Sequence, residues 1–273
     1  MARSAQLRSQ DWRAILQLVG ECRELGDDRS AWREHLMAQV ARLTGSDLGM
    51  TGEMAGCRSP HLRDLGVVTW GWQTGFVGRQ VFEVHVEAFR HDPGYSPTML
   101  KGFGLLAVEP AATFSRTDLM EDRPWYRSLE YQLIHKAYGV DHVLWCFHAI
   151  PCPAPDENVG LILCRAEGQR DFGGRDRAFV SEVVSALSPL VGGPLARFAD
   201  PSPMDLAPRI RQVLACLLEG DGDKQVAKRL GMSVYTVNQY TKAIYRHFGV
   251  VSRAELLARW VRRGWGKQWA WWD

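Results

Sequence analysis

Apolar residues near the start of the chain recur at the spacing of an α-helix. A first predicted helix buries Trp12, Ile15, Leu16 and Val19, which follow an i, i+3, i+4, i+7 pattern. A second predicted helix takes Ser30 as its N-cap and buries Trp32, Leu36, Val40 and Leu43. We therefore expect the chain to begin with two amphipathic helices.

Between residues 65 and 165 the pattern changes to short apolar, aromatic-rich runs bounded by Gly, Pro or Asp. The runs predicted to be strands are 67–70, 103–108, 143–147 and 161–164. Residues 114–138 are more polar and are expected to be helical in part. A helix is predicted over 175–191, with a stripe of Val180, Val184, Leu187 and Val191. Helices, then strands, then a helix predict an α+β sheet domain.

The segment Ala-Asp-Pro-Ser-Pro at 199–203 is typical of a short, stiff linker, because two prolines stand among small polar residues. We predict a first domain over 1–198, a linker over 199–205 and a second domain over 206–265. A tail rich in tryptophan, 266–273, follows.

Four helical stripes with recognisable caps occupy residues 206–265. The predicted buried positions are Ile210, Val213, Leu214, Leu217 and Leu218, then Val226, Ala227 and Leu230, then Val237, Tyr240, Ile244 and Phe248, and last Leu256, Leu257, Trp260 and Val261. Asp223 and Ser233 are predicted to cap the second and third helices, and Ser252 with Glu255 forms a capping box for the fourth. A short helix, a Gly turn and a longer helix predict a helix-turn-helix.

The third of these helices carries polar side chains on its predicted outer face. They are Asn238, Gln239, Thr241, Lys242, Tyr245 and Arg246. Asn and Gln can bond adenine through two hydrogen bonds, and Lys can bond guanine. Residues 206–265 contain 11 Lys and Arg against 4 Asp and Glu, a net charge of +7, whereas residues 1–205 have a net charge of −5. A compact basic end on an acidic body is typical of a nucleic-acid-binding protein.

Residues 206–256 closely resemble the LuxR-type (GerE-like) DNA-binding domain. The segments that carry the resemblance are 206–209, 213–214, 219–220, 224–227, 230–231, 233, 236–237, 244–245, 248–250 and 252–256. The resemblance implies an all-α four-helix domain whose helix 233–248 enters the major groove, with base contacts from Asn238, Gln239 and Lys242. It also implies phosphate contacts from Lys224 and Thr236, and Arg246 and Arg253 are further phosphate candidates.

Three positions depart from the family pattern. Ile210 replaces a usual Glu on the buried stripe, Tyr240 replaces a common His, and His247 replaces a common Lys near the end of the third helix. We expect altered packing at the first and a weakened phosphate contact at the last.

The first domain is similar, more weakly, to GAF-like sensor domains. The stretches concerned are 114–119, 122–128, 139–142 and 171–178. This resemblance implies a GAF/PAS-like antiparallel sheet with flanking helices and a ligand cavity. Aromatic residues that could line the cavity, rather than simply pack the core, are Trp70, Trp72, Trp125, Tyr126, Trp145 and Phe147. The pattern of acidic residues and a late Lys that marks a phosphoacceptor receiver domain is not found in this part of the sequence. His91-Asp92-Pro93 with Trp125 is only faintly similar to acyl-homoserine-lactone sensors.

Catalysis is not expected. His85-Val86-Glu87 followed by Pro151-Cys152 is similar to part of a zinc deaminase signature, but Pro155 stands where the next cysteine would be. The alternation of Val84, Val86 and Ala88 instead fits a strand-like stretch in which His85 and Glu87 are merely exposed. No cofactor or metal is expected, and the six scattered cysteines are expected to be reduced thiols. Without a signal sequence or a long apolar stretch, a cytoplasmic protein is expected.

The sequence thus predicts a DNA-binding transcription regulator controlled at its first domain. The expected partners are double-stranded DNA, a second copy of the chain, a small-molecule effector and RNA polymerase. Binding to a membrane is not expected. The alternative is a small-molecule sensor whose helix-turn-helix docks a protein.

Overall fold

The computed structural model describes residues 6–57, 62–72, 75–151 and 156–263, without the side chains of 75–77. The Trp-rich tail and Cys152 lie outside the described residues. The chain divides into two compact units. The first comprises the residues up to Cys22 together with Arg33–Val191, and the second comprises Arg23–Trp32 together with the chain from Gly192 onward.

The first unit is built on a five-stranded sheet in which every pairing is antiparallel. The strands are β1 (Leu48–Ala55), β2 (Arg63–Trp70), β3 (Ala111–Ser115), β4 (Val140–Ala149) and β5 (Glu157–Ala166). Their order across the sheet is β2-β1-β5-β4-β3. The predicted α+β class and antiparallel sheet are confirmed. Two strands, β1 and β3, were not predicted, because neither has a continuous apolar run.

Helices surround this sheet. Before residue 192 the described α-helices are α1 (Ser9–Glu24), α2 (Ala31–Thr44), α3 (Gly75–His91), α4 (Pro97–Val108), α5 (Arg116–Leu119), α6 (Asp122–Arg127) and α7 (Gly174–Leu187). A short π-helical segment occupies Tyr131–His135. The stripe predicted over 175–191 is buried throughout, and α7 packs on β3, β4 and β5. Its apolar face therefore belongs to the core of its own unit.

Two segments predicted to be strands are helical. The run 103–108 lies in α4, whose first turn has Pro97 and is capped by the Ser96 hydroxyl, which accepts from the Met99 amide at 3.3 Å. Residues 84–88 lie in α3, whose buried positions Phe82, Val86 and Phe89 follow helical spacing. A short apolar run fits the period of a helix and the period of a strand equally well. In both cases tertiary contacts therefore decided that a helix forms.

The predicted inner face of α1 is wrong by part of a turn. Ile15 and Leu18 are buried, whereas Trp12 and Leu16 are 45% and 72% exposed. The face is shifted because Asp11 lies on the buried side of α1, where it forms an ion pair with Arg175 of α7.

The N-cap predicted for α2 also differs. Asp28, not Ser30, supplies the cap, because its carboxylate accepts from the amides of Ser30 and Ala31 at 2.7 and 3.0 Å. Most of the predicted buried face holds: Trp32, Leu36 and Val40 are fully buried, and Leu43 is half-buried.

In the second unit four helices surround one apolar core. They are α8 (Pro208–Leu218), α9 (Asp223–Leu230), α10 (Val234–Phe248) and α11 (Arg253–Arg263). This confirms the predicted four-helix domain. Two details change: Asp223 is the first residue of α9 and Gly222 its N-cap, and Val261 is 76% exposed instead of buried.

Residues predicted as a linker are bonded inside the second unit. Just before the linker, the Trp32 indole donates to the Ala196 carbonyl and Arg29 donates to the Phe198 carbonyl, each at 3.1 Å. Within the linker, Asp205 pairs with Arg29 at 3.1 Å. Asp200 also pairs with Arg263. Residues 199–205 are therefore tied to their surroundings and differ from the stiff spacer that the two prolines suggested.

Candidate nucleic-acid interface and ligand cavity

A tight turn sets α10 against α9. Gly231 adopts a left-handed conformation with φ +64°, which a glycine reaches without steric cost. The Ser233 hydroxyl then accepts from the Thr236 amide at 3.0 Å and caps α10, as predicted. Gly249, with φ +61°, ends the helix.

One face of α10 is anchored in the core and the opposite face is exposed. Val237, Ile244 and Phe248 are buried, with Tyr240 half-buried beside them. The exposed side chains include Asn238, Gln239, Lys242 and Arg246. Thr241 was predicted on the outer face but is only 8% exposed, because it follows Val237 by one turn on the buried side.

The amide of Asn238 is oriented by a neighbouring helix. Its Nδ2 donates to a carboxylate oxygen of Asp223, at the start of α9, at 3.2 Å. An amide nitrogen carries two hydrogens, so the carbonyl oxygen and one N–H of Asn238 stay available to a ligand. Asp223 thereby selects one of the two flipped orientations of the amide.

The candidate phosphate residues fall into two groups. Lys224 is exposed on the first turn of α9, and Thr236 lies on the first turn of α10, where its hydroxyl is 2.8 Å from the Ser233 hydroxyl. Arg253 differs: its guanidinium donates to the carbonyls of Leu217 and Asp221, each at 2.6 Å. We therefore reassign Arg253 to holding the last turn of α8, through Leu217, against the turn that follows it, through Asp221.

The helices α8 to α11 thus combine a tight glycine turn, a capped third helix and an exposed polar face. Residues 204–260 match the family of bacterial regulatory proteins called the luxR family. The four helices are a luxR-family helix-turn-helix domain.

Individual relatives are more distant. Over 110 residues the chain is 30% identical to the response regulator Rre1 of Synechocystis sp. (strain ATCC 27184 / PCC 6803 / Kazusa). This match covers 38% of the chain and 48% of Rre1, so it spans about half the length of this curated relative.

Two solved structures are similar at low identity. The crystal structure of Escherichia coli SdiA is 14% identical, with a TM-score of 0.39, over 94% of this chain and 97% of SdiA. The VqsR LBD domain from Pseudomonas aeruginosa is 11% identical, with a TM-score of 0.42, over 64% of this chain and 94% of that domain. Both likenesses are distant.

The structure explains the positions at which this luxR-family domain departs from the family pattern. Ile210 packs against the apolar core, and Tyr240 packs beside it. His247 lies with its Nε2 2.9 Å from the Ser202 carbonyl, within hydrogen-bond distance of the predicted linker. His247 thus contacts Ser202 inside the second unit, at the position where a lysine that contacts phosphate is common in the family.

One exposed residue of the luxR-family domain was not predicted as a site residue. Tyr235, in the first turn of α10, is 74% exposed. It lies three, four and seven residues before Asn238, Gln239 and Lys242, which places all four on one helix face. That spacing is visible in the sequence, so helical periodicity alone could have identified Tyr235.

A cavity lies in the first unit, apart from the luxR-family domain. Its walls are apolar and include Met50, Phe82, Met99, Val143 and Ile162. Trp72, Trp145 and Phe147, three of the six predicted aromatic residues, also line it. About 80 Å³ is open to the centre of a water molecule.

The other three predicted aromatic residues are not among those that line the cavity. Trp125 is fully buried, with its ring 4.9 Å from that of His135. The Tyr126 hydroxyl donates to Asp141 at 2.9 Å; burial, and next this bond, raise the pKa of Tyr126 to about 12. We therefore withdraw Trp70, Trp125 and Tyr126 as ligand contacts.

One end of the cavity is polar. His85, Thr98 and His135 line it there, and Glu130 lies behind them, fully buried and hydrogen-bonded by Thr98. Burial lowers the pKa of His85 to about 4. Burial also opposes ionisation of Glu130, but His135 and Thr98 outweigh it and hold the pKa of that carboxyl below its usual value. The cavity thus has a neutral imidazole in front of an ionised, partnered carboxylate.

Among the described residues, five cysteines are buried. No described group of His, Cys, Asp and Glu is arranged to hold a metal ion. None of the described helices has the length and apolar character needed to span a membrane.

Proposed function

We propose that this protein is a transcription regulator that binds double-stranded DNA with α10 in the major groove. The observation that carries the proposal is the exposed polar stripe on α10 of a luxR-family domain with a net charge of +7 over 206–265. An α-helix fits the major groove, and its exposed side chains then meet the edges of the bases.

In this proposal each part of the surface has its own role. Gln239 and the oriented amide of Asn238 bond adenine, and Lys242 bonds guanine. Lys224, Thr236 and the amide groups at the start of α10 bind phosphates, since a helix N-terminus attracts anions. Arg246, exposed four residues after Lys242, adds a phosphate contact.

Two copies are proposed to act together. One helix-turn-helix contacts only a few base pairs, too few to discriminate against the excess of other genomic sites. A two-fold pair doubles the contacts and places the half-sites about one helical turn apart. The cavity of the first unit is proposed to receive a small-molecule effector, and RNA polymerase to be the partner through which transcription changes in the cytoplasm.

Selection of bound sequences from random duplex DNA, followed by a footprint, tests the proposal. We expect an enriched two-fold motif and an affinity that falls steeply with salt. Ultracentrifugation on the selected site should show two protein copies per duplex. Binding without sequence enrichment or salt dependence would contradict DNA reading and favour a helix-turn-helix that docks a protein.

A further inference from the structure

The cavity of the first unit combines apolar walls with one polar end, and its size and charges narrow what it can hold. The biological role of this ligand rests on the effector function proposed above, but binding of the ligand to the cavity can be measured without DNA. Both the volume and the charges argue for a small, uncharged molecule.

The volume limits the ligand first. To hold one water molecule a cavity needs about 10–15 Å³, about the volume of the whole water-sized sphere. The space open to the centre of such a sphere is about 80 Å³ here, several times that minimum. This space suits a molecule the size of a substituted benzene ring, whereas a long acyl chain exceeds it.

The charges of the lining limit it next. No Lys or Arg is among the described residues that line the cavity, so an anionic group would be buried without a partner. It would also approach Glu130, whose carboxylate is fully buried behind Thr98 and His135. Glu130 already has Thr98 and His135 as partners, so a cation entering the cavity would find it engaged.

His85 supplies the specific contact. Its imidazole lines the cavity, with the ring centroids of Tyr95 and His135 at 5.6 and 6.4 Å. The Nδ1 atom has no hydrogen-bond partner among the described residues. A buried polar atom without a partner costs free energy, and a ligand that bonds it recovers that cost. A neutral imidazole has one donor and one acceptor nitrogen, which suits a hydroxyl or an amide.

We propose that this cavity binds an uncharged, mostly apolar molecule, the size of a substituted benzene ring, whose one hydroxyl or amide group bonds His85. The apolar part packs against Met99, Trp145 and Ile162.

The test uses the full chain without DNA and measures binding of three matched probes by calorimetry. Benzyl alcohol, toluene and benzoate share the ring and differ in the polar group. We expect benzyl alcohol to bind about tenfold more tightly than toluene, the effect of one buried hydrogen bond, and benzoate to bind more weakly than either.

Variants then locate the site. His85→Phe should reduce the affinity for benzyl alcohol to that for toluene, and Met99→Trp should abolish binding of both by filling the space. His91→Phe, at an exposed histidine of α3, is the matched control and should change neither. Circular dichroism confirms that each variant is folded, and the wild-type probe series is decisive even where a variant is not.

Equal affinity of the wild type for benzyl alcohol and toluene would overturn the role of His85. Benzoate binding as tightly as benzyl alcohol, or no probe binding at all, would overturn the ligand class. DNA binding that persists in either case leaves the proposed regulator intact, whereas ligand binding without DNA binding refutes the regulator alone.

Discussion

The exposed face of α10 and the core of the first unit present polar groups in opposite ways. On α10, Gln239 and Lys242 stand in water, where leaving them unpaired costs little. In the first unit, Glu130 and Arg165 are buried, and each is surrounded by groups that satisfy it. A surface that must exchange water for DNA keeps its polar groups exposed, whereas these ionised groups in a core are paired beforehand.

The largest predicted effect tests the buried side of this comparison. Arg165 on β5 donates to the carbonyls of Thr44, Arg170 and Asp171 and to the carboxylate of Asp176. Arg165→Leu removes all four bonds, so the first unit should lose about 3–5 kcal/mol of unfolding free energy. Denaturant titration measures it, with a separate transition of the luxR-family domain left unchanged.

Arg177→Ala is the matched control for Arg165. Arg177 lies on α7 and pairs with Asp118, but both side chains are more than a third exposed. Water screens this pair, and the expected loss is about 0–1 kcal/mol. Similar losses for the two variants would show that burial does not set the strength of these ion pairs as we describe.

The next prediction concerns base reading on the exposed side. Lys242→Ala should weaken binding to the selected DNA site by about 1–3 kcal/mol and relax the preference at one base pair. Competition binding against duplexes altered at each position measures both effects. An equal loss on random DNA would leave Lys242 only a phosphate contact.

Lys224→Ala should act without regard to sequence. One lost phosphate contact reduces the slope of log affinity against log salt by about 0.9, so affinity falls about three- to fourfold less between 50 and 200 mM salt. Fluorescence anisotropy on specific and random duplexes, with Lys228→Ala as a second exposed lysine of α9 for comparison, measures the slope. An unchanged slope would place Lys224 outside the interface.

The smallest expected effect is that of Asp223→Ala. The variant frees the amide of Asn238 to flip, which should cost about 0.5–1.5 kcal/mol at the base pair that Asn238 contacts and little elsewhere. If affinity instead rises equally on all sequences, the carboxylate acts only by repelling phosphate.

A region could be predicted from the sequence when the residues that determine its structure lie close together along the chain. The helices of the luxR-family domain, the cap at Ser233 and the exposed face of α10 depend on residues within a few turns of one another. The strand predicted at 103–108 and the shifted face of α1 failed because the deciding partners, such as Arg175 for Asp11, lie far along the chain.

The sequence by itself determined the helix-turn-helix and most of the α10 residues that face solvent, because helical period and capping are local properties. Two residues predicted on the outer face differ: Thr241 is buried, and Tyr245 is half-buried against the core. Only the tertiary structure decided that Arg253 holds carbonyls of the second unit and that Trp72, Trp145 and Phe147 share a cavity with His85. Hydrogen-bond partners and cavity walls come from segments that meet only on folding, and no spacing along the chain encodes which of them meet.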